Sequence, residues 1–375
     1  MVLNGIELFA HRNYAEFRAE FSPGVNVICG KNAQGKTNLL EAICILAFGH
    51  SHRYARERDI IGADAEFSEI RARVTSNGRE NTLETRLFRS AKRTVTRNGV
   101  KLATAGEAAG TLTAVMFDPS DLDLVRGAPE NRRRELDAII AQLRPRYADA
   151  LTEFRRLYAG KLKILRDAAE KPTLLDAIDE YNHGLIETGA RLIFYRASFV
   201  KKLAERAREQ HRDCSGGAED LEIIYLTERG VDTEVSDDAP AEIRKIAAAL
   251  AARQREHREH EIASGKCLTG AQRDDLELKI NGTSARTFAS QGQARTCALA
   301  LKLAERDLIA EDTGEAPVLL LDDVLSELDE SRRAFVLGRI SGGQVLITTC
   351  EPGEIPIADG GRILEIHAGR LVGCT

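Results

Sequence analysis

The sequence predicts an α/β nucleotide-binding head with an antiparallel side sheet, interrupted by an inserted helical arm. Three observations predict it. A glycine-rich loop stands between a strand pattern and a helix pattern near residue 30. An aliphatic run ends in two acids near residue 322. Between them, residues from about 121 to 263 carry helical periodicity.

The first observation is the strongest. Residues 30–37 read GKNAQGKT, a full match to G-x-x-x-x-G-K-[ST]. Val25-Asn26-Val27-Ile28-Cys29 before it is short and β-prone. Asn38-Leu39-Leu40-Glu41-Ala42-Ile43-Cys44-Ile45-Leu46 after it is apolar and helix-prone. Strand, glycine loop and helix make this string a phosphate-binding loop. Backbone N–H groups along Gly30, Lys31, Asn32, Ala33, Gln34 and Gly35 wrap phosphates. The helix N-terminus at Lys36, Thr37 and Asn38 adds a favourable dipole. Lys36 is expected to reach the β- and γ-phosphates and the Thr37 hydroxyl to bind Mg²⁺, so ATP and Mg²⁺ are the expected ligands.

Residues 1–120 otherwise read as β-rich. Ile70-Arg71-Ala72-Arg73-Val74 and Leu83-Glu84-Thr85-Arg86-Leu87 alternate apolar and polar, with Asn77-Gly78 as a hairpin signal inside a longer loop. Arg93 to Arg97 and Val100 to Leu102 flank Asn98-Gly99 in the same way. These strands predict the side sheet. In the arm, Leu174, Ile178, Tyr181, Leu185, Thr188, Leu192, Tyr195, Phe199 and Leu203 step by four and three, giving one stripe on one long helix. An intramolecular bundle is the preferred reading over a coiled coil between chains. Ser215-Gly216-Gly217 and Ser236-Asp237-Asp238-Ala239-Pro240 mark loops, and residues 241–263 are helical and densely charged. From 268 onward, strand and helix patterns alternate again. The predicted domains are therefore a discontinuous head, 1–120 and 266–375, and an arm, 121–265.

Composition sets bounds. The 375 residues are 43% hydrophobic and 30% charged, which reads as a globular protein with room for two lobes. The sequence shows no apolar run of membrane-span length and no signal peptide. Seven cysteines are scattered without a C-x-x-C pair, which suits reduced thiols in a cytoplasm. The net charge of −5 gives no bulk sign of nucleic-acid binding, so any such contact needs a local basic patch.

The second half of the site follows. Val318-Leu319-Leu320-Leu321 leads into Asp322 and Asp323. A buried strand ending in acids suits a crevice at a sheet edge. Asp322 is expected to hold Mg²⁺, and Asp323 to orient or deprotonate the attacking water as the catalytic residue. Ser290-Gln291-Gly292-Gln293 at a helix start resembles the signature motif of ABC-type ATPases, and Ser326-Glu327-Leu328-Asp329 resembles their D-loop, with Ser326 and Asp329 in the matching places. Four motifs in this order imply an ABC-type P-loop ATPase head. The resemblance implies a composite site, in which the signature of one subunit closes over the phosphate loop of another in an ATP-dependent homodimer. A transporter ATPase subunit, or a nucleotide-gated scaffold with incidental hydrolysis, are the rival readings; the long arm disfavours the former.

Local stretches then point to one branch. Residues 119–137, PSDLDLVRGAPENRRRELD, closely resemble the diagnostic stretch of the RecF family of bacterial recombination mediators. So do Leu268-Thr269-Gly270 with Arg273-Asp274-Asp275, Arg286-Thr287-Phe288 leading into SQGQ, LDDVLSELD at 321–329, and Phe9 with Arg12-Asn13-Tyr14. The resemblance implies slow, DNA-stimulated ATP hydrolysis and binding to double-stranded and gapped DNA. It also implies work with RecO and RecR to load RecA. Arg53, Arg56, Arg132 and Arg133 are the candidate DNA contacts, with Arg58, Arg134, Lys201 and Lys202 as further basic candidates. The sequence departs from the family pattern at Ala271-Gln272, where Pro-His is usual, and at Glu135, where an aromatic is usual. Cys350 stands where ABC ATPases carry a histidine, and no Q-loop glutamine is evident near residue 117.

Overall fold

The structure is a computed structural model; it describes residues 1–53, 56–233, 238–339, 342–355 and 360–374. The expected loop positions Ser236 and Asp237 lie outside the described residues. The first part runs β1 (Val2–His11), β2 (Tyr14–Glu20), β3 (Val25–Cys29), α1 (Lys36–Phe48), α2 (Glu57–Ile60), β4 (Phe67–Ser76), β5 (Arg79–Phe88), β6 (Thr94–Arg97), β7 (Val100–Lys101) and β8 (Ala114–Phe117). The middle is α3 (Leu122–Arg126), α4 (Pro129–Leu143), α5 (Pro145–Asp167), α6 (Ile178–Cys214), β9 (Leu221–Leu226) and α7 (Ala239–Ser264). The chain returns through β10 (Asp275–Ile280), β11 (Thr283–Ser284), α8 (Ala285–Phe288), α9 (Gln291–Thr313), β12 (Val318–Asp322), α10 (Val324–Glu327), α11 (Glu330–Arg339), β13 (Val345–Thr349), β14 (Arg362–His367) and β15 (Arg370–Cys374).

Two six-stranded sheets build the head. The mainly parallel one has the order β15-β14-β3-β13-β12-β8, and the antiparallel side sheet has the order β2-β1-β4-β5-β6-β7. Val318, Leu319, Leu320 and Leu321 are all at most 1% exposed, as expected for a parallel strand covered on both faces. Leu39, Leu40 and Ile43 of α1 pack in the cluster that joins the two sheets, while Leu299 and Leu303 of α9 and Val336 of α11 pack on the opposite side. The side sheet follows its turn chemistry. Asn77 and Gly78 both have positive φ, 49° and 68°, so β4 and β5 extend to a two-residue turn rather than the longer loop the sequence suggested. Asn98-Gly99 turns β6 into β7 in the same conformation.

The striped helix is α6. Leu185, Thr188, Leu192 and Leu203 are buried on it, and it packs against α5, α7 and α9 of the same chain. Only Leu174 of the expected stripe falls before the helix, in a 3₁₀ turn. The expected boundary at 265/266 needs correction. β10 pairs antiparallel with β9 across it, from Asp275↔Leu226 to Ile280↔Leu221, and β11 pairs with β10. β10 and β11 therefore complete a small sheet with β9 of the arm. Long-range strand pairing leaves no mark in local pattern.

The diagnostic stretch is largely a buried polar lock that ties the arm helices to the segment leading into β10. Arg132, 4% exposed, meets both oxygens of Asp275 at 2.7 and 3.0 Å and the carbonyls of Leu124 and Gly127. Arg133 donates to the Asp274 carbonyl at 2.7 Å. Arg196, 3% exposed, bonds Asp137 at 2.8 Å, Asp274 at 2.8 Å and the Ala271 carbonyl at 2.7 Å. Tyr147 and Tyr225 donate to Asp137 and Asp274 respectively. Arg132 is therefore corrected from a DNA contact to a structural residue, and Arg133 is committed to the same lock. Charge in a sequence does not reveal burial. Glu135 finds its reason here as well: it pairs with Lys302 of α9, 2% exposed, which also faces Asp121 at 3.4 Å and Glu305 at 3.6 Å.

Candidate nucleotide site

β3 delivers the loop at the C-terminal end of the parallel sheet, between β13 and β14. Gly30 and Gly35 have φ of +150° and +117°. Close approach also excludes a side chain at either: a Cβ on Gly30 would sit 2.4 Å from the Ile366 carbonyl, and one on Gly35 2.9 Å from the Tyr14 hydroxyl. Lys36 opens α1 and is 4% exposed; its Nζ donates to the carbonyls of Gly30 at 2.9 Å and Lys31 at 3.2 Å, so the ammonium lies back across the loop.

A second layer braces the loop. Tyr14 donates its hydroxyl to the Gly35 carbonyl at 2.9 Å, and Asn13 donates to the Gln34 carbonyl at 2.9 Å. Asn38 donates to Asn13 at 2.8 Å. From the C-terminal hairpin, Ala368 N–H donates to Gln34 Oε1 at 2.6 Å and Gly369 N–H to the Gln34 carbonyl at 3.0 Å. Sequence pattern alone gives the hairpin no role; its signals are the alternation at 362–367 and Ala368-Gly369 as a turn. Under the helix, Glu41 is fully buried and receives Arg12 at 2.8 Å, Ser51 at 2.5 Å and Arg53 at 2.5 Å. Burial alone would raise its carboxyl, but these three hydrogen bonds outweigh it and hold it at about 2. Arg53 also donates to Asn38 at 2.8 Å, so this DNA candidate is a brace of the loop. Arg56 is exposed at the start of α2.

The acids lie at the end of β12, in register with β13. Asp322 Oδ1 accepts from the Thr37 hydroxyl at 3.0 Å and from Thr348 at 2.7 Å. Burial raises its carboxyl above the ordinary value, and the two hydroxyls oppose the shift. Asp323 adopts φ of +52°, a left-handed conformation that costs a non-glycine residue energy and is typical of functional sites. Its N–H donates to Thr348 at 3.0 Å. Asp323 borders a cleft of about 440 Å³ with Asn32, Ser326, Thr348 and Cys350. Cys350 Sγ donates to Asn32 Oδ1 at 3.1 Å and accepts from Lys36 Nζ at 3.4 Å. The thiol thus ties β13 to the loop where an imidazole is expected. In place of a Q-loop glutamine, Asp118 follows β8, which neighbours β12, and caps the turn by accepting from Ser120 N–H at 2.7 Å.

The signature turn stands at the start of α9. Ser290 and Gln293 form a reciprocal cap, Gln293 N–H to Ser290 Oγ at 3.2 Å and Ser290 N–H to Gln293 Oε1 at 2.9 Å, while Ser290 and Gln291 stay exposed. Gln293 also donates to Glu219 at 2.9 Å. In the D-loop, Ser326 donates to the Asp323 carbonyl at 2.7 Å, and Asp329 accepts from Arg332 N–H at 2.9 Å.

The donor set suits a nucleotide with a divalent cation. Thr37 and Asp322 share a hydrogen bond, which sets a hydroxyl and a carboxylate oxygen side by side, the kind of oxygen donors a hard divalent cation takes. Among the described residues no group of three or more His, Cys, Asp or Glu side chains makes a self-sufficient metal site. No helix among them is long and apolar enough to cross a membrane.

Fold and site together define a P-loop ATPase head of the ABC/SMC class. The RecF/RecN/SMC N terminal domain model matches residues 2–362. The chain belongs to the RecF family. It is 38% identical over 376 residues to "DNA replication and repair protein RecF" of Symbiobacterium thermophilum, covering 99% of this chain and 98% of the relative. It is 41% identical to the Listeria innocua protein of the same name, covering 93% of each. A solved structure of the "recombination mediator protein RecF-ATPrS in RecFOR pathway" superposes with a TM-score of 0.88 at 33% identity, covering 99% of this chain and 97% of that one. The Pyrococcus furiosus Smc head domain, at 17% identity and a TM-score of 0.54, shares the fold alone, over 98% of this chain and 93% of that one.

Proposed function

We propose that this chain is an ATP-dependent DNA-binding recombination mediator of the cytoplasm. It dimerises on ATP, closes on duplex DNA at single-strand gaps and helps RecO and RecR load RecA. The observation that supports this reading is the exposed signature turn, with Ser290 and Gln291 at the surface, beside a loop and acids already assembled around Lys36 and Thr37. A second copy supplies the missing half in a two-fold dimer. Gly30 to Asn38 hold the phosphates, and Thr37 with Asp322 would hold Mg²⁺, which would supply charge neutralisation there. Asp323 orients the attacking water and accepts its proton. The names of the relatives support the repair role.

Sedimentation of the full chain with and without ATP, alone and with gapped DNA, tests this. ATP should shift the protein to a dimer, and DNA binding should require ATP and weaken steeply with salt, since backbone phosphates dominate such contacts. A monomer throughout, or DNA binding indifferent to nucleotide, refutes it. Asp323→Asn keeps the Asp322 ligand and removes the base. It should therefore bind ATP but turn over about 10²- to 10⁴-fold more slowly, accumulating the dimer in steady-state assays. Unchanged turnover would assign the proton transfer elsewhere.

A further inference from the structure

Arg332, on α11 just beyond the D-loop, belongs to none of the sequence motifs. Its Nε donates to Thr296 Oγ1 at 2.9 Å, and Thr296 Oγ1 donates to the Gly292 carbonyl at 3.1 Å. Its Nη2 donates to that same carbonyl at 3.3 Å, closing a ring of hydrogen bonds around the first turn of the signature helix. Its Nη1 and its own backbone N–H both go to Asp329 of the D-loop. One guanidinium therefore bonds both segments that the shared-site reading presents to a second copy. Gly292 makes room for it: a Cβ there would sit 3.2 Å from Arg332 Nη2. Thr296 is 2% exposed, so the ring is anchored in packed structure, while Ser290 and Asp329 remain at the surface.

We propose that Arg332 is a positioning residue that fuses the signature turn and the D-loop into one rigid lip, which acts on the nucleotide of a second copy. The inference rests on the shared-site reading. Two contact segments held as one lose their freedom once on docking; held separately, each loses it on its own, which weakens association. The planar fork is needed because three acceptors, on Thr296, Gly292 and Asp329, are met at once; a lysine ammonium cannot span them.

The test uses full-length Arg332→Leu and Arg332→Lys, each alone and mixed in equal amounts with Lys36→Ala. Arg332→Leu should bind a fluorescent ATP analogue within about twofold of wild type, because its own loop is intact, while its ATP-driven dimerisation and turnover fall about tenfold or more. Arg332→Lys should lie between it and wild type. In the mixture, one site of each mixed dimer combines the sound loop of the arginine variant with the sound lip of Lys36→Ala. Turnover should return to about a quarter of wild type. A purely structural role cannot give that rescue. The proposal is overturned if Arg332→Leu turns over like wild type. It is also overturned if its mixture recovers nothing while a Ser290→Arg plus Lys36→Ala mixture does. If that second mixture fails too, the shared site itself is wrong, and this inference falls with it. Should Arg332→Leu melt well below wild type, the Arg332→Lys mixture replaces it, and the same recovery or its absence decides.

Discussion

Replacing Lys36 by alanine will abolish tight ATP binding and, with it, ATP-driven dimerisation. Lys36 is 4% exposed, and its ammonium lies across the loop, held by the Gly30 and Lys31 carbonyls. Its removal leaves phosphate charge facing backbone N–H groups alone. Losing one partner of a desolvated charge pair costs about 2–5 kcal/mol, so affinity should fall by about 30-fold or more. Titration with a fluorescent ATP analogue and sedimentation with ATP measure both effects. A variant that still dimerises on ATP would show that the loop is misassigned. Mixing sharpens the result. Lys36→Ala and Ser290→Arg are each expected to be inactive, since each homodimer has two broken sites. In a mixed dimer both lesions fall in one site and the other is whole. Random exchange makes about half the dimers mixed, so about a quarter of wild-type sites should return if the sites act independently.

The second large effect concerns stability. Arg196→Met leaves the carboxylates of Asp137 and Asp274, 5% and 1% exposed, without their shared cation. Breaking a buried pair from one side costs about 3–5 kcal/mol, so the urea midpoint should drop sharply. The pH dependence has a definite sign. Burial already pushes the Asp274 carboxyl up to about 6, against the pull of Arg196. Without the arginine it rises further. A carboxyl raised above its unfolded value binds its proton more tightly in the folded state. The variant should therefore be relatively more stable near pH 4 and lose stability as pH rises through 6 and above. A midpoint equal to wild type at pH 7 would mean that the lock carries no stability.

These two cases mark what the sequence made legible. The loop, the acids, the two Asn-Gly turns and the long α6 are local patterns, set by turn conformation, by helical repeat or by a strand's aliphatic run, and they stand where expected. Arg132 misled because a basic residue in a sequence has no depth, and Arg53 and Arg133 have partners in the fold that no sequence shows. Only the folded chain brings Glu41, Asp275 and the Asp274 carbonyl to them. The pairing of β10 with β9, the hairpin held against Gln34 and the reach of Arg332 from α11 to Gly292 were illegible for one reason. Each joins segments distant along the chain whose local composition fits several environments.

The neighbours of β3 have a further consequence. The strand that carries the loop, Val25–Cys29, pairs with Val345–Thr349 on one side and Arg362–His367 on the other, and Gln34 is held by Ala368 and Gly369. A chain emerging from the ribosome makes the loop long before it makes the strands that hold it. Closing so long an intervening stretch is slow compared with local folding. A chain without those strands therefore exposes the loop sequence without the site, and ATP competence waits for residues 345–369. Copies lacking them are in this way kept out of any nucleotide-driven assembly.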